Sequence, residues 1–265
     1  SLVGSEMCIR DRNENKPFTA YIKKVWQVTH QNKYDVIIDM RSTIRTLFFS
    51  LFSLKTPFRI GRIKGYTRFL LNYRTDTYSN SLTTDMVERN LLLAAPLEKI
   101  RPIQYTKEFR LYLTDQEKKD FRYYMEKEGI DFARPVFLIG VTTKLLHKKW
   151  NTEFMITTLK RILEEYKDIQ MIFNYAPGYE EEDARNIYKE LGCPERIKID
   201  IQASSLRQLA ALCANCSFYF GNEGGARHIA QALEIPSFAI YSPSAYKSMW
   251  LPTNSVLARG ISPDD

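Results

Sequence analysis

A strand-like run, Ser217-Phe218-Tyr219-Phe220, enters the loop Gly221-Asn222-Glu223-Gly224-Gly225-Ala226-Arg227-His228, and a helical pattern from His228 to Leu233 leaves it. Strand, glycine-rich loop and helix form the geometry that binds phosphate, because the first N–H groups of a helix lack partners inside it and point outward. Gly224 and Gly225 carry no Cβ, so an anion can come close to their backbone. Arg227 and His228 fall on the first helical turn, near the positive end of the dipole. An ordinary β–α turn whose glycines only ease a bend accounts for the same residues, and a glycine pair alone does not separate the two readings.

The elements around this loop supply further groups. Val136–Val141 reads as a strand, Asn151 as the cap of a helix to about Tyr166, and Ile169–Asn174 as a second strand. Glu180 begins a helix stopped by Gly192, and Ser204 or Ser205 caps Leu206–Leu212. A final strand follows at Ser237–Tyr241, just after Pro236. Ligands of open α/β sheets bind beyond the carboxyl ends of the strands. Thr142, Thr143, Lys148 and Lys149 lie on the first such loop, and Arg227 and His228 on the third. Hydroxyls, ammonium groups and a helix N-terminus on one edge suit a diphosphate.

The first half alternates in the same way. Tyr34–Met40 reads as a buried strand, Ser42 or Thr43 as the cap of a helix through about Leu54, and Pro57–Gly61 as a short strand. Thr83 or Thr84 opens a helix through Leu93. Thr114-Asp115-Gln116-Glu117 is a capping box, and Gly129 a helix stop. Strands alternating with helices predict parallel α/β sheets. The polar stretch from Pro102 to Ala133 marks the junction, which predicts domains at 13–131 and 132–265.

Composition narrows the class. With 44% hydrophobic and 26% charged residues in 265, the chain reads as globular. A net charge of +7 suits anionic partners such as nucleotides, phosphorylated saccharides or an acidic membrane face. It equally fits scattered solvation, and without a dense basic block nothing points to nucleic acid. No apolar run reaches the eighteen residues or so of a membrane-spanning helix. The short stretch Leu47–Leu54 reads as a buried helix or a membrane-facing one. Cys213 and Cys216 form a C-x-x-C at the end of an apolar helix, without the second ligand pair a zinc site needs. Buried thiols fit that placement better than a redox pair, and the odd number of cysteines beyond Cys8 fits a reducing compartment.

Residues 1–12, Ser1-Leu2-Val3-Gly4-Ser5-Glu6-Met7-Cys8-Ile9-Arg10-Asp11-Arg12, resemble a translated sequencing adapter and are set aside from the fold reading. Their two basic and two acidic residues cancel, so the net charge is unaffected. This reading expects natural sequence to start near Asn13 and the first domain to be incomplete.

The ordered set of motifs resembles glycosyltransferase family 9, the ADP-heptose:lipopolysaccharide heptosyltransferases. The family signature is Asn-Asp-Thr-Gly, two variable residues, His, an Ala-rich helix and a Pro. Here it reads Asn222-Glu223-Gly224-Gly225-Ala226-Arg227-His228, then Ala230, Ala232 and Pro236. Tyr241-Ser242-Pro243-Ser244 is similar to the family's Phe-Gly-Pro-Thr. Thr142-Thr143 with Lys148-Lys149-Trp150 is similar to its hydroxyl-then-Lys-x-Trp loop. Tyr34-Asp35-Val36-Ile37-Ile38-Asp39-Met40-Arg41 and Val87-Glu88-Arg89-Asn90 match features of its first domain.

The resemblance implies a GT-B arrangement, two Rossmann-like domains facing a cleft, and sugar transfer with inversion. It implies a nucleotide-sugar donor, ADP-heptose or another, held mainly on the second domain, and a lipid-linked saccharide acceptor such as a lipopolysaccharide core. Thr142, Thr143, Lys148 and the backbone at Gly224 and Gly225 would meet the diphosphate, with His228 beside it. An acidic residue near Glu180 to Glu182, taken as Glu181, would reach the ribose. Glu223 stands where an Asp holds donor-sugar hydroxyls. The general base would lie on a loop upstream of Asn13, so no catalytic residue is assigned and residues 13–265 alone are expected to be inactive. Asp39, after a later strand, is structural or acceptor-side. Neither metal nor cofactor is implied. The expected location is cytoplasmic, with peripheral contact at the inner face of the cytoplasmic membrane.

Beside the general base expected upstream of Asn13, a second departure keeps other functions open. Asp-Thr has become Glu223-Gly224, one methylene longer and one hydroxyl poorer, which suits a non-catalytic nucleotide- or saccharide-binding protein of the same fold. A GT-B-shaped sugar-nucleotide enzyme such as an epimerase is the third reading.

Overall fold

The computed structural model describes residues 17–77, 85–243, 247–251, 255–263 and 265. The adapter-like segment and Ser244 lie outside these residues, as do Thr83 and Thr84. The chain divides into two compact units, one ending at Lys107 and the other starting at Glu108.

The first unit holds a three-stranded parallel sheet in the order β1 (Val36–Asp39), β2 (Phe58–Arg62), β3 (Tyr73–Thr75). An amphipathic helix, α1 (Phe18–Gln31), precedes it and buries Val25 and Thr29. The sequence reading assigned no element there, and it also missed β3, whose three residues are too short to carry a period. The helix expected from Ser42 or Thr43 starts later, as α2 (Leu47–Leu51). Asp39 is the cause. Its Oδ1 accepts the N–H of Arg41 at 3.1 Å and of Ser42 at 2.7 Å, and its Oδ2 accepts Thr46 Oγ1 at 2.7 Å. Those bonds hold the strand exit as a loop, with Ser42 at a φ of 47°. Only Leu47 and Ser50 of α2 are buried, while Leu51 and Leu54 are exposed.

Next comes α3 (Met86–Leu91), capped by Asp85, whose side chain accepts Glu88 N. It runs into a 3₁₀ stretch, Leu92–Lys99, containing Pro96, which cannot donate an α-helical hydrogen bond. Asn90 of this segment accepts from the buried Arg62 at 2.9 Å.

The second unit opens with α4 (Asp115–Lys127), capped by the Thr114–Glu117 box and ended before Gly129 at a φ of 83°. The expected junction at 131 therefore falls too late. Phe121 and Met125 of this helix pack into one core with Val136, Leu138, Ala211 and Leu212, so the polar surface of α4 hides an apolar stripe that belongs to the second sheet.

That sheet is wholly parallel, with β4 (Val136–Gly140), β5 (Gln170–Phe173), β6 (Ile197–Lys198), β7 (Phe218–Asn222), β8 (Ser237–Ile240) and β9 (Ala258–Ile261). Its helices are α5 (Thr152–Glu165), α6 (Tyr179–Glu190), α7 (Leu206–Ala214), α8 (Gly225–Ala232) and the short α9 (Lys247–Trp250). Asn151 caps α5, Ser205 caps α7, and Gly192, at a φ of 81°, follows α6. All four residues of β5 are buried, as a parallel strand covered on both faces requires. The strand order is β6-β5-β4-β7-β8-β9. Chain direction across the sheet therefore reverses between β4 and β7, the point at which a doubly wound sheet opens a crevice for ligands.

Cys213 and Cys216 lie in the core of this unit, and burial pushes the Cys213 thiol up to about 12. Trp150 packs against the other core cluster.

Candidate functional site

The switch point is built by close backbone approach. A Cβ on Gly221, whose φ is 137°, would sit 2.3 Å from the carbonyl oxygen of Gly140. A Cβ on Gly140 would sit 2.1 Å from Tyr219 Oη. These two glycines let β4 and β7 leave the sheet side by side. Buried Asn222 then ties the two exits together. Its Nδ2 donates to the carbonyls of Gly140 at 3.0 Å and Val141 at 3.2 Å, and its Oδ1 accepts Trp150 N at 2.7 Å. Tyr219 Oη donates to the Asn222 carbonyl at 2.7 Å. Asn222 was legible only as part of a motif; its latching role appears once the strands are side by side.

Glu223 follows at the end of β7 and is 6% exposed. Lys148 Nζ reaches its Oε2 at 3.1 Å, and His228 Nε2 lies 3.5 Å from its Oε1. Burial would raise the pKa of this carboxyl, but hydrogen bonds from His228 and Lys148 and the lysine charge outweigh burial and hold it at about 2. The site thus carries a fixed carboxylate, clamped between an ammonium group and an imidazole.

Gly224 and Gly225 begin α8, which no side chain caps. Gly224 has a φ of 176°, extended backbone open to any residue, and a Cβ on either glycine would meet nothing within 4 Å. Nothing in the described fold requires glycine here. The pair leaves open space over an uncapped helix N-terminus, which is what an approaching anion uses.

Arg227 is fully buried behind this edge. One amino group, Nη2, donates to the Trp250 carbonyl at 2.8 Å and lies 2.7 Å from His228 Nδ1, and the other, Nη1, donates to Gln231 Oε1. Its Nε has no partner among the described residues, and neither has the buried Tyr241 hydroxyl. Burial lowers the Arg227 pKa, opposed by the nearby Tyr241, Glu223 and Tyr219.

The other predicted residues divide. Thr142 is buried on the loop after β4, and its Oγ1 donates to Glu180 Oε2 at 3.2 Å. Thr143 offers its carbonyl to Tyr179 Oη at 3.3 Å. Glu181 faces away from this group, paired with Arg185 at 3.0 Å, which also reaches Asp200. The buried acid that meets the threonine loop is Glu180, one residue earlier. A helix turn rotates adjacent residues by about 100°, so sequence alone left the choice among the three glutamates open. Lys149 turns from Lys148 to Asp183 on α6, at 2.5 Å.

In the first unit, burial raises the Asp39 pKa, while bonds from Thr46, Ser42 and Arg41 oppose it. All of those bonds are spent on the β1 exit loop, which gives Asp39 a structural role.

Comparison with known proteins agrees with this arrangement. The family model described as glycosyltransferase family 9 (heptosyltransferase) matches residues 22–257. A glycosyltransferase of family 9 from Veillonella parvula DSM 2008 superposes with a TM-score of 0.73 at 13% identity, over 94% of this chain and 68% of that one. For the ADP-heptose LPS heptosyltransferase II of E. coli the TM-score is 0.67 at 22% identity, over 91% and 72%. The UDP-GlcNAc 2-epimerase of Methanocaldococcus jannaschii gives 0.58 at 17%, over 91% and 70%. At such identities the likeness is one of fold, that of GT-B proteins with two Rossmann-like units. No curated protein matches significantly. The family match spans both units and every residue of the Lys148–Glu223–His228 cluster, and the chain belongs to glycosyltransferase family 9.

Proposed function

We propose that the protein is an inverting glycosyltransferase that moves a heptose from ADP-heptose, or another sugar from its nucleotide, to a lipopolysaccharide core or related glycolipid. The reaction would take place at the inner face of the cytoplasmic membrane. The observation that carries this reading is the Lys148–Glu223–His228 cluster beside an uncapped helix N-terminus at the sheet's switch point.

In this reading the diphosphate lies over Gly224 and Gly225, where backbone N–H groups and the helix dipole favour negative charge. Lys148 is shared between the phosphate and Glu223, so the carboxylate does not repel the donor outright. Glu223, ionised and acceptor-only, takes hydroxyls of the donor sugar. Thr142 and Glu180 form the polar wall toward the ribose, with Thr143 beside them. Glu181 has the weaker claim, because Arg185 already holds it. No side chain here is assigned as general base.

Calorimetric titration of ADP into the protein tests the donor site. Micromolar binding that weakens about tenfold or more in Lys148→Ala supports it, the scale expected for one charge-assisted contact. ADP that fails to bind the parent protein, or binds Lys148→Ala equally well, removes it.

One observation favours a second reading, a protein that binds the donor without transferring it. Gly224 stands where the family has a hydroxyl, and the space for one is open. A transfer assay with ADP-heptose and a core acceptor, run on a form that includes the sequence upstream of Asn13 with and without Gly224→Thr, separates the two. Transfer by that form without the substitution ends the binding-only reading.

A further inference from the structure

We infer that the face of the first unit formed by α1 and α2 docks on an anionic membrane surface. Phe18 and Trp26 enter the lipid boundary, and the basic side chains around them meet headgroup phosphates. The positive charge of the chain is not scattered. Residues 17–107 hold 15 Lys and Arg against 6 Asp and Glu, a net charge of +9, whereas residues 108–265 hold 20 against 22, a net charge of −2. The stretches 17–34 and 40–57, which include both helices, contain Lys23, Lys24, Lys33, Arg41, Arg45 and Lys55 and no carboxylate. A surface of one sign draws partners of the other.

Helix α1 faces the core with buried Val25 and Thr29. It also presents a second apolar stripe outward, where a helix on a water-facing surface is polar. Phe18, Ile22 and Trp26, spaced four apart, fall on one side of the helix. They line a groove with Lys23 and with Phe52, just past α2. Phe18 and Trp26 are each 49% exposed. Defined contacts shape this groove. The Phe18 ring meets Phe48 of α2 edge-on at 5.8 Å, and the Arg45 guanidinium lies over Phe18 and Tyr21 at 5.7 and 5.3 Å. Tyr21 Oη donates to the Arg45 carbonyl at 2.8 Å. Leu51 and Leu54 are exposed as well, next to Lys55 in the chain. Aromatic and aliphatic groups among lysines are what a helix lying in a lipid interface carries: the apolar groups enter the acyl boundary, and the long basic side chains reach back to the phosphates. Isoleucine and leucine give bases nothing to stack on, so the face suits lipid better than nucleic acid. The inference gives a surface to the membrane placement proposed above, yet it rests on the first unit alone and does not need the donor site.

Co-sedimentation with lipid vesicles, in the absence of nucleotide, tests it. Vesicles rich in phosphatidylglycerol should bind the protein about tenfold or more tightly than vesicles of phosphatidylcholine. Lys23→Glu with Lys55→Glu, both at exposed side chains, should weaken that binding about tenfold or more while the urea midpoint stays parental. Lipid brominated in its acyl chains should quench tryptophan fluorescence, and Trp26→Phe should abolish the quenching although Trp150 and Trp250 remain. Failure to bind anionic vesicles, equal binding to both vesicle types, or quenching that survives Trp26→Phe overturns the inference. Binding that disappears in a form carrying the sequence upstream of Asn13 would give the groove to that sequence and also overturns it. So does a dimer that Trp26→Ser separates, which would give the face to a second copy of the chain. Vesicle binding by a protein that binds no ADP would remove the donor site and leave this surface standing.

Discussion

Two glycine pairs meet at one edge of the second sheet, and their surroundings differ completely. Gly140 and Gly221 are demanded by the fold, since a Cβ on either would lie within 2.3 Å of a neighbouring atom. Gly224 and Gly225 are demanded by nothing in the described chain, since a Cβ on either would meet nothing within 4 Å. The first pair lets two strands leave the sheet in contact; the second keeps ground clear above a helix N-terminus. Glycines without steric need inside the protein point to something outside it.

The comparison can be broken at its stiff end. Gly221→Ala places a side chain at a φ of 137° against backbone that cannot move aside. It should cost about 4 kcal/mol or prevent folding, measured by urea denaturation. Gly140→Ala should cost less, about 2–3 kcal/mol, because the Tyr219 ring can shift at the loss of its bond to Asn222. If both variants unfold at the parental urea midpoint, the close approach of β4 and β7 is wrong.

The clamped carboxylate between the pairs should show in acid. Glu223 is held at about 2 against an ordinary 4.5, so it binds fewer protons folded than unfolded. Its contribution, on the order of 3 kcal/mol, is present above about pH 4.5 and lost as pH falls through about 2. In Glu223→Gln the unfolding free energy should fall less steeply between pH 5 and pH 2. An acid limb identical to that of the parent protein would mean the clamp does not exist in solution.

At the open end, Gly224→Ala and Gly224→Thr should leave stability within about 0.5 kcal/mol of the parent, as substitutions free of contacts do. The effect on ligand should appear at the glycine that the family signature keeps, and Gly225→Ala is expected to weaken ADP binding severalfold by covering the backbone. A large stability loss with unchanged ADP binding would reverse the distinction drawn between the two pairs.

The two units differ in how they could be read. In the second, local signals stand beside the elements they control: Thr114 and Glu117 start α4, Asn151 caps α5, Ser205 caps α7, and Gly129 and Gly192 mark helix ends. In the first, Ser42 and Thr43 look like caps, yet Asp39 takes over the local N–H groups and the helix begins four residues later at Leu47. Helix α1 went unread, and the junction was placed after α4 because a polar helix surface resembles a linker until the partner of its apolar stripe is known.

What the sequence by itself determined are features set within a few residues: caps, helix stops, apolar strands, and the strand–glycine–helix run ending at His228. Turn chemistry and side-chain period are local, and they survive in the folded chain. Which residues meet was decided only by tertiary structure. Lys148 and Glu223 are 75 positions apart and are joined because β7 lies beside β4, while Thr142 and Glu180, 38 apart, are joined because β5 lies on the other side of β4. Likewise, no local rule sets Arg227 against the imidazole of its neighbour rather than toward solvent. Burial behind α8 and the Trp250 carbonyl do that, by leaving the guanidinium no other polar surroundings to satisfy it.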